Sequence, residues 1–155
     1  MIPNRMRPED KHCGPVALAL SLGVTPEEVM RNWPTKWSDP TSDRKYLCWP
    51  IDTPWLHREY VEEKLGRPWI LKPKDAPLES NSIALVHNVT LGNPWWKNLW
   101  DGFWGQHWVL VWDVTKDYVT VDWGTESSSI KIFTKERFEF MTKGSWPYCV
   151  YKIGG

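Results

Sequence analysis

The segment Cys13-Gly14-Pro15-Val16-Ala17-Leu18-Ala19-Leu20-Ser21-Leu22-Gly23 contains no charged side chain and is bounded by helix signals at both ends. Pro15 falls where a helix tolerates proline, in the first turn, and Gly23 falls where a left-handed C-terminal residue is wanted. The segment is about half the ~20 residues needed to span a bilayer. A helix this apolar must be enclosed by the rest of the chain. It also opens with a thiol. At a helix start, unpaired backbone N–H groups and the positive end of the macrodipole both favour thiolate over thiol.

Length and charge narrow the remaining choices. The 155 residues suffice for one domain, expected over 1–155, with a real core. Lys plus Arg and Asp plus Glu number 19 each, so no excess charge attracts nucleic acid or an anionic membrane. Three cysteines are an odd number, which argues for a reducing compartment rather than a disulfide framework. The N-terminal residues lack the apolar core of a signal peptide, so a cytoplasmic protein without membrane attachment is expected. No CxxC, HxxxH or HExxH spacing marks a metal site, and no glycine-rich phosphate loop occurs, so no cofactor is expected.

The pattern then changes from helix to strand along the chain. Thr25-Pro26-Glu27-Glu28 is a capping box opening a second helix to about Asn32. Residues 33–50 read as a long loop, and Thr53-Pro54 opens a third helix ending at Gly66. Strands follow at Trp69-Ile70-Leu71, at Ile83 to His87 and at Ile130 to Phe133. His107 to Asp113 and Tyr118 to Trp123 alternate as a hairpin. Thr134 caps a helix from Lys135 to about Met141, and Tyr148 to Ile153 forms a last strand. Helices first and antiparallel strands later predict an α+β domain.

The hairpin brings a base to that sheet. With an even-numbered loop and no bulge, His107 and Asp122 project from the same face, close enough for the carboxylate to orient the imidazole. A thiol at a helix start with a paired base and acid fits nucleophilic catalysis. Asp122, two residues before Gly124, also suits a plain strand-end turn residue.

Cys13-Gly14-Pro15 opening a buried helix, His107-Trp108-Val109-Leu110-Val111 and Tyr118-Val119-Thr120-Val121-Asp122, in this order, resemble the papain-like cysteine peptidases, in particular their bacteriocin-processing branch. The resemblance covers most of the chain, including the helix with Phe138 and Trp146 before the last strand. It implies a papain-like fold, with N-terminal helices carrying Cys13 packed on an antiparallel sheet carrying His107 and Asp122. It also implies hydrolysis of peptide or isopeptide bonds through a thioester. Cys13 would be the nucleophile, His107 the general base and Asp122 the orienting carboxylate. The family's glutamine about six residues before the cysteine is Arg7 here, and loss of an oxyanion donor costs roughly 10²–10³ in rate. Arg7 is therefore a candidate replacement, with Lys11 and Asn4 as alternatives. Trp123 stands where the family often has proline.

Thirteen tryptophans, six of them between Trp95 and Trp112, set this chain apart. Most are expected in the core. The segment from Asn93 to Trp104, broken by Pro94 and Gly102, reads as a loop whose Trp95, Trp96, Trp100 and Trp104 form a substrate wall. An inactive papain-like fold binding a peptide, a protein or a sugar through that loop is the competing reading. Cys149 is expected to be structural, Cys48 incidental, and His12, His57 and His87 non-catalytic.

Overall fold

The computed structural model describes residues 13–31, 58–125, 129–145 and 148–154. The apolar segment forms α1 (Cys13–Leu22), whose residues 13–19 are all buried. Gly23 adopts φ 71°, and the Val24 amide donates to the Ala19 carbonyl at 3.1 Å, closing the left-handed cap. Thr25 Oγ1 accepts from the Glu28 amide at 3.3 Å and starts α2 (Pro26–Arg31). Of the expected third helix, the described part is its end. There the chain widens into a π-helical turn (Tyr60–Lys64), burying Tyr60 and Val61 before Gly66 at φ 63°. Asn4, Arg7, Lys11, His12, Cys48, His57, Trp146 and the expected loop at 33–50 lie outside the described residues.

The sheet has six antiparallel strands, β1 (Trp69–Leu71), β2 (Ile83–Val86), β3 (His107–Val114), β4 (Tyr118–Asp122), β5 (Ile130–Thr134) and β6 (Val150–Ile153). Their spatial order is β1-β6-β2-β3-β4-β5, so the domain is α+β as expected. One face, with Ile83, Leu85, Trp108, Leu110 and Tyr151, packs against Val16, Ala17, Leu18 and Ala19 of α1. The other face, with Ala84, Val86, Val109, Val111 and Val121, packs against Phe138 and Met141. These two belong to a C-terminal helix (Lys135–Lys143), capped by Thr134 Oγ1 accepting from the Arg137 amide at 3.3 Å. Covered on both sides, β2 is apolar at every position.

Two expectations need correction. The β3–β4 ladder begins in the expected register, Val114 opposite Val119, but shifts by one residue at Trp112, so that Leu110 opposes Asp122. His107 opposes Val86 and Leu110 opposes Ile83, so His107 belongs to the face opposite that of Asp122. A β-bulge, invisible to a rule that assumed none, reverses the parity.

The tryptophan segment is likewise helical, forming α3 (Trp95–Trp104); the C-terminal helix is therefore α4. Pro94 and Gly105 bound this helix instead of breaking it. It docks through small and polar positions. Asn98 exchanges two hydrogen bonds with the Thr90 backbone, at 3.0 and 3.1 Å, and Gly102 lies against Ser145. Trp95, Trp96 and Trp100 are exposed.

A β-carbon at Gly102 would stand 2.7 Å from Ser145 Oγ and 2.8 Å from Ser145 Cβ. Gly102→Ala is expected to destabilise the protein by about 1–3 kcal/mol, the usual effect of overpacking, as read from urea unfolding.

Candidate active site

Cys13 is the first residue of α1 and is 7% exposed. His107 is the first residue of β3, opposite Val86 of β2. Its Nε2 lies 2.6 Å from the Trp123 carbonyl oxygen. A carbonyl only accepts, so Nε2 carries the hydrogen and the second nitrogen, Nδ1, is the one available to the thiol. The Trp123 indole also stacks on the imidazole, with centroids 4.9 Å apart and planes 19° from parallel. Lys131 Nζ sits 5.3 Å from the same indole.

These neighbours set the charge on His107. Burial pushes its pKa down. The hydrogen bond and negative charge of Cys13, together with the Trp123 carbonyl, outweigh burial and the repulsion from Lys131, and the net shift is upward from 6.5. The attraction is mutual, so the pairing that holds a proton on the imidazole also favours the thiolate. Cys149 contrasts with this, because burial without such a partner pushes its thiol up to about 12.

Asp122 is fully buried. Oδ1 accepts from the Gly124 amide at 2.9 Å and from the Ser129 hydroxyl, while Oδ2 accepts from Trp112 Nε1 at 3.1 Å. The bond to the amide two residues ahead makes an Asx turn, with Gly124 at φ 80°. Trp123 lies inside that turn, and its amide donates to the Ser129 carbonyl at 2.6 Å. Asp122 thus acts through the backbone by fixing the peptide whose carbonyl holds His107. The sequence reading missed Trp123 as the acceptor. Backbone acceptors carry no residue-type signature, and the only available cue was the tryptophan standing where proline was expected.

A cleft of about 370 Å³ opens beside His107 on the α4 side of the sheet, walled by Trp123, Val86, Val89, Met141 and Arg137. His87, its Nδ1 3.4 Å from the Gly102 carbonyl, forms part of the lining. Trp95, Trp96 and Trp100 are not among the lining residues, and the Trp104 side chain lies outside the description. Among the described residues, no cluster of His, Cys, Asp and Glu could hold a metal ion, and no helix is long and apolar enough to cross a membrane.

No protein-family model matches this chain, and no curated protein matches it in sequence.

Iodoacetamide labelling followed by mass spectrometry across pH tests the pair. Cys13 is expected to react well below the ordinary thiol range near 8.5, with His107 staying protonated above 6.5. His107→Ala should move Cys13 reactivity back towards that range, and Cys149 should stay unmodified throughout. Asp122→Asn keeps an oxygen for Gly124 but can turn an NH₂ towards Trp112. It should cost about 1–3 kcal/mol in urea unfolding and leave the labelling profile of Cys13 largely unchanged.

Proposed function

We propose that this chain is a papain-like thiol hydrolase that cleaves peptide or isopeptide bonds. The observation that carries the reading is the pairing of a helix-start cysteine with a histidine whose pKa is raised by that cysteine and whose Nε2–H is held by the Trp123 carbonyl. A cysteine kept only for packing has no need of such a partner.

In the proposed reaction, Cys13 Sγ attacks the substrate carbonyl carbon while the carbonyl π electrons move to oxygen. The C–N bond then breaks as His107 Nδ1–H passes its proton to the departing amine, leaving a thioester. Water attacks the thioester, His107 takes the proton of that water, and Cys13 leaves as thiolate. A backbone carbonyl on Nε2 fixes the tautomer and aim of the imidazole but brings no full negative charge. This chain therefore relies more on the thiolate itself to stabilise the imidazolium than a Cys-His-Asp triad does. The Cys13 amide is the proposed first donor to the oxyanion, and Arg7, in the position of the family's glutamine, the proposed second. A peptide or protein is the proposed substrate.

The exposed Trp95, Trp96 and Trp100 favour a second reading, an inactive fold that binds a partner through α3. Acyl-enzyme capture separates the two. Acid quenching during turnover of a fluorogenic peptide-amide library should yield a covalent adduct on Cys13, absent in Cys13→Ala. His107→Ala should lower kcat/KM by at least ~10³-fold, with strong non-additivity between the two sites. Arg7→Ala should slow acylation by roughly 10²-fold without weakening substrate binding. Labelled Cys13 without any adduct or turnover would leave the binding reading standing.

A further inference from the structure

We infer that the cleft beside His107 is the site for the leaving portion of the substrate, and that Arg137 selects a leaving group ending in a free carboxylate. The inference rests on the hydrolase reading for the name of the ligand, and on the cleft itself for the chemistry.

His107 stands at the boundary between two environments. Cys13 belongs to the cluster on the α1 face of the sheet, whereas the cleft is walled by Val86, Val89 and Met141 of the α4 face. His107 touches both. In the proposed reaction the leaving amine takes its proton from Nδ1–H on the thiol side, and the rest of the leaving portion, running past the imidazole, reaches the cleft that His107 lines. The acyl portion, bonded to Cys13, stays on the nucleophile's side.

The cleft also has a defined chemistry. Its volume is near the lower end of the ~300–1,000 Å³ usual for small-molecule pockets, which suits a short leaving group rather than a folded partner. Val86, Val89, Met141 and Trp123 supply apolar wall for a side chain. None of the lining residues is acidic, and Arg137 is exposed at the mouth. Its guanidinium has no ion-pair partner among the described residues. Lys131, beyond the Trp123 indole, adds a second positive charge. A planar guanidinium over a partly apolar, acid-free cavity matches a carboxylate through paired hydrogen bonds. A peptide fragment of one or two residues is of a size that a cavity of this volume can hold, with its carboxylate towards Arg137. The activity predicted is therefore release of short C-terminal fragments.

Isothermal titration of the full chain with the dipeptide Ala-Leu and with its C-terminal amide tests the cleft without requiring turnover. The acid is expected to bind at least ~10-fold more tightly than the amide, and to slow iodoacetamide labelling of Cys13 by occupying the cleft beside His107. Arg137→Gln should bring the ratio close to one while leaving urea unfolding unchanged, and Arg137→Lys should retain part of it. Equal affinities, no binding of either ligand, or a preference that survives Arg137→Gln would overturn the assignment. Cys13→Ala keeps the cleft and should keep the preference. A preference without any acyl-enzyme in the unmodified chain would thus count against the hydrolase reading alone. Turnover indifferent to the C-terminal carboxylate would count against the cleft alone.

Discussion

The buried carboxylate of Asp122 is the interaction on which the site depends. A charge removed from water is tolerated only when its lone pairs are met by donors, and removing those donors leaves an uncompensated charge. Among the described residues, donors come from three places in the chain, the Trp112 indole on β3, the Gly124 amide in the turn and the Ser129 hydroxyl before β5. One side chain therefore ties three adjacent segments together. The peptide of Trp123 is held between them and cannot reorient without disturbing all three. Gly124 serves the same end, because its positive φ permits the turn and its missing β-carbon leaves room for Val16 of α1, whose Cγ1 would lie 3.0 Å away. The start of α1 and the end of β4 meet there, which brings Cys13 and His107 within range of each other.

The bulge at Trp112 links this network to the chemistry. An unbroken ladder would put Asp122 and His107 on one face, and the carboxylate could face the imidazole directly. The extra residue turns Asp122 to the α1 face and lets the Trp112 indole reach it, leaving the Trp123 carbonyl for His107. Orientation of the imidazole is preserved while full charge stabilisation is given up. The cysteine, acting on the imidazole by hydrogen bond and by charge, supplies the missing negative partner. A carboxylate-assisted pair can hold its imidazolium after the thiolate has been consumed, whereas in the reaction proposed for this chain that support would disappear once the thioester formed. The rise in His107 pKa is thus a property of the free protein, and in the proposed reaction it would relax at the step where the histidine acts as a base.

Much of this architecture was legible in the amino-acid order because it rests on local chemistry. The apolar run from Val16 to Leu22 can only be a buried helix, Gly23 its end and Cys13 its beginning. Thr25 and Thr134 cap helices because their hydroxyls meet the N–H three residues on. The β-strands follow from alternation, and β2 from its unbroken apolar run. These signals act over a few residues, so they survive without knowledge of partners. The expected pairing of Cys13 with His107 rests on the helix start and on the resemblance to papain-like peptidases rather than on local signals alone, and the two side chains interact.

Tertiary structure decided the rest. The register shift at Trp112, beside which the Trp112 indole donates to Asp122, is not written in the spacing of the hairpin. Pro94 and Gly102 mark the tryptophan segment as a loop by local signals, yet it is a helix, with Gly102 packed against Ser145 and Asn98 fixed by the Thr90 backbone. Both contacts join residues whose relation is invisible to periodicity. The acceptor for His107 is a backbone carbonyl, identical at every position of the chain until folding singles one out. The sequence by itself determined which helix is buried and which thiol begins it. Only packing across the sheet determined what that thiol's histidine leans on, since a one-residue shift in register reverses every side chain beyond it.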